Sequence, residues 1–171
     1  LYQFEKPKST LMMDRLATLY EERVHLVCNK NADIDSAKDL KSGKHKVLIN
    51  TYGSGTYVTW NLFGKLNPAY ARITAIESSV DEALLRVVDG ADAQCMVFVS
   101  GVGAGTLKMA DERYGDKLKL VELEDRALHR KVGRGRRQVY RDSVVPEKAY
   151  KKLNDDDVDT QSVSAVFFVN P

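Results

Sequence analysis

The chain has 171 residues, 43% hydrophobic and 29% charged, enough for one domain with its own core. Its 26 basic and 24 acidic residues leave a formal net charge of +2, which excludes an overall electrostatic pull toward nucleic acid or an anionic membrane. No apolar run approaches the roughly 20 residues of a membrane span, and because the chain opens at Leu1 without Met, an upstream segment is expected to have been removed.

Residues 12–19 carry a weak helical pattern. Residues 24–28 form a short apolar run that predicts a buried strand, and residues 29–35 read as a turn. A short helix is predicted over residues 36–40, stopped by Gly43. A second strand follows at residues 46–50, β-branched and apolar at its centre. After Thr51-Tyr52-Gly53-Ser54-Gly55-Thr56, the residues Val58, Leu62 and Phe63 predict a helix with one apolar stripe. Residues 72–76 read as a third strand.

Ser79-Val80-Asp81-Glu82 has the form of a capping box. It opens the clearest helix of the chain, with Val80, Ala83, Leu84, Val87 and Val88 on one face and Gly90 as its left-handed stop. A fourth strand is predicted over residues 92–99. Ser100-Gly101-Val102-Gly103-Ala104-Gly105 then leads into a helix through Tyr114, closed by Gly115, and residues 117–123 form a fifth strand. Strands and helices thus alternate with short connections, which predicts an α/β fold with a mostly parallel sheet and helices on both faces.

The rhythm breaks after residue 123. Seven Arg and Lys occupy residues 126–141, with His129 among them. Pro146 predicts the start of a short helix through Leu153, with Ala149, Tyr150 and Leu153 on one face. Asp155, Asp156 and Asp157 form an acidic turn, and residues 162–169 a last apolar strand.

Cys28 and Cys95 both fall in strand-like runs, far from any His or Cys at metal-ligand spacing, so no metal is expected. Two buried thiols are the plain reading. A disulfide is the alternative in an oxidising compartment. His25, His45 and His129 lie in a strand, a turn and a basic segment, and none has a partner that would make it catalytic. No catalytic residues and no cofactor are expected. Neither glycine cluster has the Walker spacing or a complete G-x-G-x-x-G, so no nucleotide is expected. The basic segment lacks interleaved aromatics apart from Tyr140 and reads as a solvated face or a lobe-to-lobe contact, not a nucleic-acid surface.

What remains is two small-residue turns, each ending a strand and opening a helix. In an open α/β sheet, ligands sit outside the carboxyl ends of the strands, and the first N–H groups of a helix attract an anion. Ser54, Gly55 and Thr56 are candidates to hold a carboxylate, with Thr51 and Tyr52 shaping the pocket and Ser100 and Gly101 lining its far side. The competing reading of each turn is simple loop geometry with an N-cap.

The stretch LYEERVHLVCNKNADIDSAKDLKSGKHKVLINTYGSGTYVTW resembles the TAXI family of extracytoplasmic solute receptors of TRAP transporters. The matching motifs are Asp39-Leu40 through Gly43-Lys44 and Val47, Gly53-Ser54-Gly55-Thr56, Asp89-Gly90-Ala91-Asp92-Ala93, and Asp157-Val158-Asp159-Thr160 through Ala165. The resemblance runs from about residue 19 to residue 170. The Arg-rich segment departs from it.

The resemblance implies a three-layer periplasmic-binding-protein-like lobe, mainly the second of two. Residues 1–23 would be the approach from a first lobe, 24–162 the second α/β lobe and 163–171 the returning hinge strand. It implies a small anionic solute, an amino acid or another carboxylate, taken up through the membrane permease of a TRAP transporter. It also implies action as a monomer, periplasmic location and closure about a hinge. Tyr20 and Glu21, just before the first strand, are weaker candidates for the ligand's polar end. A sensory or regulatory ligand-binding domain of the same fold is the alternative.

Overall fold

Strand β1 (Asp14–Asn29) is the longest element and the sheet is ordered around it. The computed structural model describes residues 14–133 and 136–169. The other strands are β2 (Lys46–Ile49), β3 (Thr74–Glu77), β4 (Cys95–Ser100), β5 (Leu118–Val121), β6 (Lys131–Val132), β7 (Arg137–Gln138), β8 (Arg141–Val145) and β9 (Val158–Val169). The helices are α1 (Ala37–Leu40), α2 (Gly55–Leu66), α3 (Pro68–Ala71), α4 (Val80–Asp89) and α5 (Gly105–Tyr114), with a 3-10 turn at Arg126–His129.

The main sheet has the order β3-β2-β4-β1-β9-β8, with β5 also paired to β1. Strand β2 runs parallel to β3 and β4. Strand β1 is antiparallel to β4, β5 and β9, and β8 is antiparallel to β9. Strands β2, β3, β4, β5 and β9 therefore share one direction, and only β1 and β8 oppose it. The mostly parallel sheet read from the sequence is present, with an antiparallel strand at its centre.

The two halves of β1 do different things. Residues 23–28 pair with β4, and residues 26–29 with β5, inside the sheet. Residues 14–23 pair with β9 as a ribbon, interrupted by register shifts between Arg15 and Ala17 and between Thr18 and Glu21. The helical pattern read over residues 12–19 is thus corrected: residues 14–19 are extended, while 12 and 13 lie outside the described residues. The backbone groups find their partners about 150 residues away in sequence, on β9, and this pairing overrides a weak local preference.

Alternation along β1 sends Val24, Leu26 and Cys28 to one core and Val27 to the other, with His25 buried beside Val27. The first core is closed by α1, α2 and α3 through Leu40, Trp60, Phe63 and Tyr70. The second is closed by α4 and α5 through Leu84, Val87 and Leu107, with Tyr150 and Leu153 beside them. Helix, sheet and helix make three layers.

Two further expectations change. Cys28 and Cys95 face each other directly across β1 and β4, both fully buried, and are joined by a disulfide. Adjacent antiparallel strands bring opposed side chains within bonding reach, which spacing in the sequence could not show. The helix predicted from Pro146 to Leu153 is instead a run of turns. The Asp111 carboxylate accepts the N–H groups of Lys151, Lys152 and Leu153 at 3.0, 2.6 and 2.9 Å, and Asn154 Oδ1 accepts that of Tyr150 at 3.1 Å. Side chains satisfy the donors that a helix would have used. Tyr150 and Leu153 are nonetheless buried, as their apolar character demanded.

Candidate ligand-binding rim

Strands β2 and β4 are neighbours and parallel, so their carboxyl ends open at the same edge of the sheet. The turns that follow them, residues 50–54 and 101–104, therefore stand side by side. Strand β1 crosses the same edge, because Arg23 is opposite Ser100. The ribbon of β1 and β9 leaves the sheet there.

In the first turn, Ser54 is the N-cap of α2, and its Oγ accepts the Tyr57 N–H at 3.1 Å. The N–H groups of Gly55 and Thr56 meet no acceptor among the described residues. A Cβ placed on Gly55 would meet nothing within 4 Å, so the space above this helix end is open. Thr51 donates its N–H to Asn50 Oδ1 at 2.7 Å. Tyr52 is exposed, and its ring meets that of Tyr57 edge-on at 5.1 Å. Thr56 is not laid open at the rim. It is buried, and its hydroxyl oxygen accepts the Val99 N–H at 3.1 Å, tying α2 to β4.

In the second turn, Gly101 borders open space. Gly103 is left-handed (φ +81), and its N–H donates to the Tyr150 hydroxyl at 3.0 Å. Ser100 Oγ is buried without a hydrogen-bond partner, and so is Ser78 Oγ just after β3 at the same edge. The other such hydroxyls have nearby company: Thr59 lies beside Tyr140, and Tyr70 beside Asp125. Both rim serines thus keep their hydroxyls buried just behind the edge. Tyr20 and Glu21 lie further out on the ribbon, both exposed. Glu21 pairs in register with Ser164 and makes a long ion pair with Arg23 at 3.7 Å.

Three residues of this edge escaped the sequence reading. Glu77, at the end of β3, accepts the Tyr52 N–H at 3.0 Å and so places a carboxylate beside the first turn. Its signal is the register Ile49↔Glu77, visible only once β2 and β3 pair. His25 is fully buried, and burial pushes its pKa down to about 4, with the Phe98 carbonyl 3.3 Å from Nδ1. Arg23 donates from Nε to the Val144 carbonyl at 2.9 Å. A cavity of about 450 Å³ lies along the seam of α2 and β3 and reaches the rim through Ile49, Tyr57 and Glu77.

Elsewhere, His129 pairs with Asp142 at 2.9 Å and Gln161 at 3.0 Å, and Arg130 donates to the Leu66 carbonyl at 3.2 Å. The basic segment is described apart from residues 134 and 135. Among the described residues, no group of three or more His, Cys, Asp or Glu is placed to hold a metal, and no helix is long and apolar enough to cross a membrane.

A three-layer α/β lobe with two helix-opening turns on one sheet edge is the class that fold and rim define. The chain belongs to the NMT1-like family, whose pattern it matches over residues 1–171. Three solved structures are similar to it in fold. One is a cysteine-binding protein from Campylobacter jejuni, 14% identical, with a TM-score of 0.46 over 92% of this chain and 47% of that one. Another is an ancestral arginine-binding protein bound to arginine, 22% identical, with a TM-score of 0.49 over 67% of this chain and 46% of that one. A third comes from work on glutathione import through GshT and the cystine ABC importer TcyBC of Streptococcus mutans. It is 17% identical, with a TM-score of 0.49 over 70% of this chain and 47% of that one. The chain spans less than half the length of each of these proteins. No curated protein matches the sequence.

Proposed function

We propose that the chain is the ligand-binding lobe of an extracytoplasmic solute receptor for a small carboxylate or amino acid, and not an enzyme. The observation that carries this reading is the shared edge. The unpaired N–H groups of Gly55 and Thr56, the turn that follows β4 and the departing ribbon all meet there. Ser54, Gly55 and Thr56 supply the helix end that holds the carboxylate, through N–H groups more than through hydroxyls. Thr51, Tyr52, Ser100 and Gly101 line the pocket, and Tyr20 and Glu21 reach it from the ribbon.

On this reading residues 1–23 arrive from a first lobe, residues 24–162 form the lobe described, and residues 163–171 return. The ribbon supports it: Leu16, Leu19, Tyr20, Phe167 and Phe168 are all exposed, an apolar surface that suits a second body. Closure of two lobes about the ribbon would trap the solute, and a permease of the TRAP type would read the closed state. The disulfide suits an oxidising compartment outside the cytoplasm. The TAXI resemblance favours transport over the sensory alternative, and the receptor would act as a monomer.

The test is Gly55→Pro in the full-length protein with both lobes present, since one lobe alone would keep only part of the contacts. Proline is well suited to the first helical position, Ser54 already has the extended backbone that precedes proline (φ −69, ψ 157), and nothing crowds the site. The variant removes one N–H and leaves the helix intact. With L-arginine, L-cysteine, L-glutamate and glutathione as probes in calorimetry, the wild type should bind at least one. The variant should bind it about 10- to 100-fold more weakly, the range for a lost hydrogen bond to a charged group. Equal affinity in both proteins would overturn the assignment of the carboxylate to α2, and no binding of any probe by the wild type would count against the receptor reading.

A further inference from the structure

We propose that the Tyr150 hydroxyl is the positioning group of the second rim turn, holding residues 100–105 from beneath in the shape that meets a ligand. The inference rests on the receptor reading for its functional part. Three segments remote in sequence meet at this one atom. Tyr150 Oη accepts the Gly103 N–H at 3.0 Å and lies 3.3 Å from His25 Nε2, with the Ala104 N–H close by. His25 Nδ1 faces the Phe98 carbonyl at 3.3 Å, and both side chains are at most 2% exposed.

The proton arrangement is fixed by who can donate. Phe98 O can only accept, so His25 carries its proton on Nδ1 and offers a lone pair at Nε2. Tyr150 donates to that lone pair and keeps its own oxygen for the backbone N–H groups of the turn. Burial keeps both rings in the required state: it raises the Tyr150 pKa, and it holds that of His25 near 4. Gly103 holds a left-handed backbone in this turn (φ +81), a conformation glycine adopts without a Cβ penalty.

The segment carrying Tyr150 is itself clamped to α5. The Asp111 carboxylate accepts three successive N–H groups from residues 151–153. One run of turns therefore fixes α5 near its carboxyl end by Asp111 and fixes the turn before its amino end by Tyr150. What the turn presents outward is then Gly101.

Tyr150→Phe keeps the buried ring and removes only the hydroxyl. In the wild-type full chain, hydrogen exchange followed by NMR should show the Gly103 amide protected despite its place in a turn at the edge. In the variant that amide should exchange about tenfold faster or more, while the β1–β4 amides keep their protection. The Kd for whichever of L-arginine, L-cysteine, L-glutamate or glutathione binds the wild type should rise about 3- to 10-fold, the range for one lost neutral hydrogen bond. An unprotected Gly103 amide in the wild type overturns the proposal without any variant. So does unchanged exchange in Tyr150→Phe, or faster exchange with unchanged affinity. If no probe binds the wild type, the receptor reading fails, and the exchange data alone decide whether Tyr150 holds the turn.

Discussion

Thr56 Oγ1 accepts the N–H of Val99, so a hydroxyl from α2 takes the place of a strand that β4 has outrun. Strand β2 pairs with β4 only at Val47↔Cys95 and Leu48↔Met96. Further along, the donor of Val99 would face an apolar helix without this oxygen. Thr56→Val, similar in shape but without the acceptor, should lower stability by about 1–3 kcal/mol, and Thr56→Ser should restore most of it. Urea midpoints of the two variants check this. A Thr56→Val protein as stable as the wild type would mean that Val99 finds another acceptor.

The disulfide closes a loop of 67 residues between β1 and β4 at the end of the sheet away from the rim. Chain-entropy arguments put its contribution at about 4 kcal/mol. Cys28→Ala together with Cys95→Ala should lower the unfolding free energy by about that amount, and dithiothreitol should destabilise the wild type but leave the double variant untouched. Equal sensitivity of both proteins to the reductant would show that the bond does not form in solution.

His25 sets a pH dependence whose sign is fixed. Its folded pKa, about 4, lies below the ordinary 6.5 because burial disfavours the charged ring. Between those values the unfolded chain binds the proton and the folded one does not, so acid favours unfolding. Stability should be unaffected by this group above pH 6.5 and fall through the window down to about pH 4, by about 3 kcal/mol in all. Unfolding followed at pH 7, 5.5 and 4 should show that slope in the wild type and lose most of it in His25→Asn. A slope of the same size in the variant would assign it to other groups.

Much of the fold was legible because its signals are local. The run KVLI, the cap Ser79 and the stop Gly90 each act within a few residues, and β2 and α4 form where they predict. The two rim turns were legible for the same reason: each small-residue run ends a strand and opens a helix. What escaped depends on partners distant in the chain. Residues 14–19 are extended because β9 pairs with them, and Tyr150 stands on a turn because Asp111 takes the N–H groups of its neighbours. Cys28 meets Cys95 only because β1 lies antiparallel beside β4. Within the site, the same distinction separates Ser54, whose capping role follows from its place before α2, from Glu77, which reaches Tyr52 only through the pairing of β2 and β3.

Strand β1 is continuous from the outer ribbon to the middle of the sheet, and it passes the edge at Arg23, next to Ser100. A twist applied to the ribbon is therefore delivered to the backbone beside the second turn with no helix in between. If the proposed receptor reading holds, whatever grips residues 14–22 and 163–169 would hold a lever whose fulcrum is the mouth of the lobe, and filling that mouth and turning that lever would be two ends of the same mechanical element.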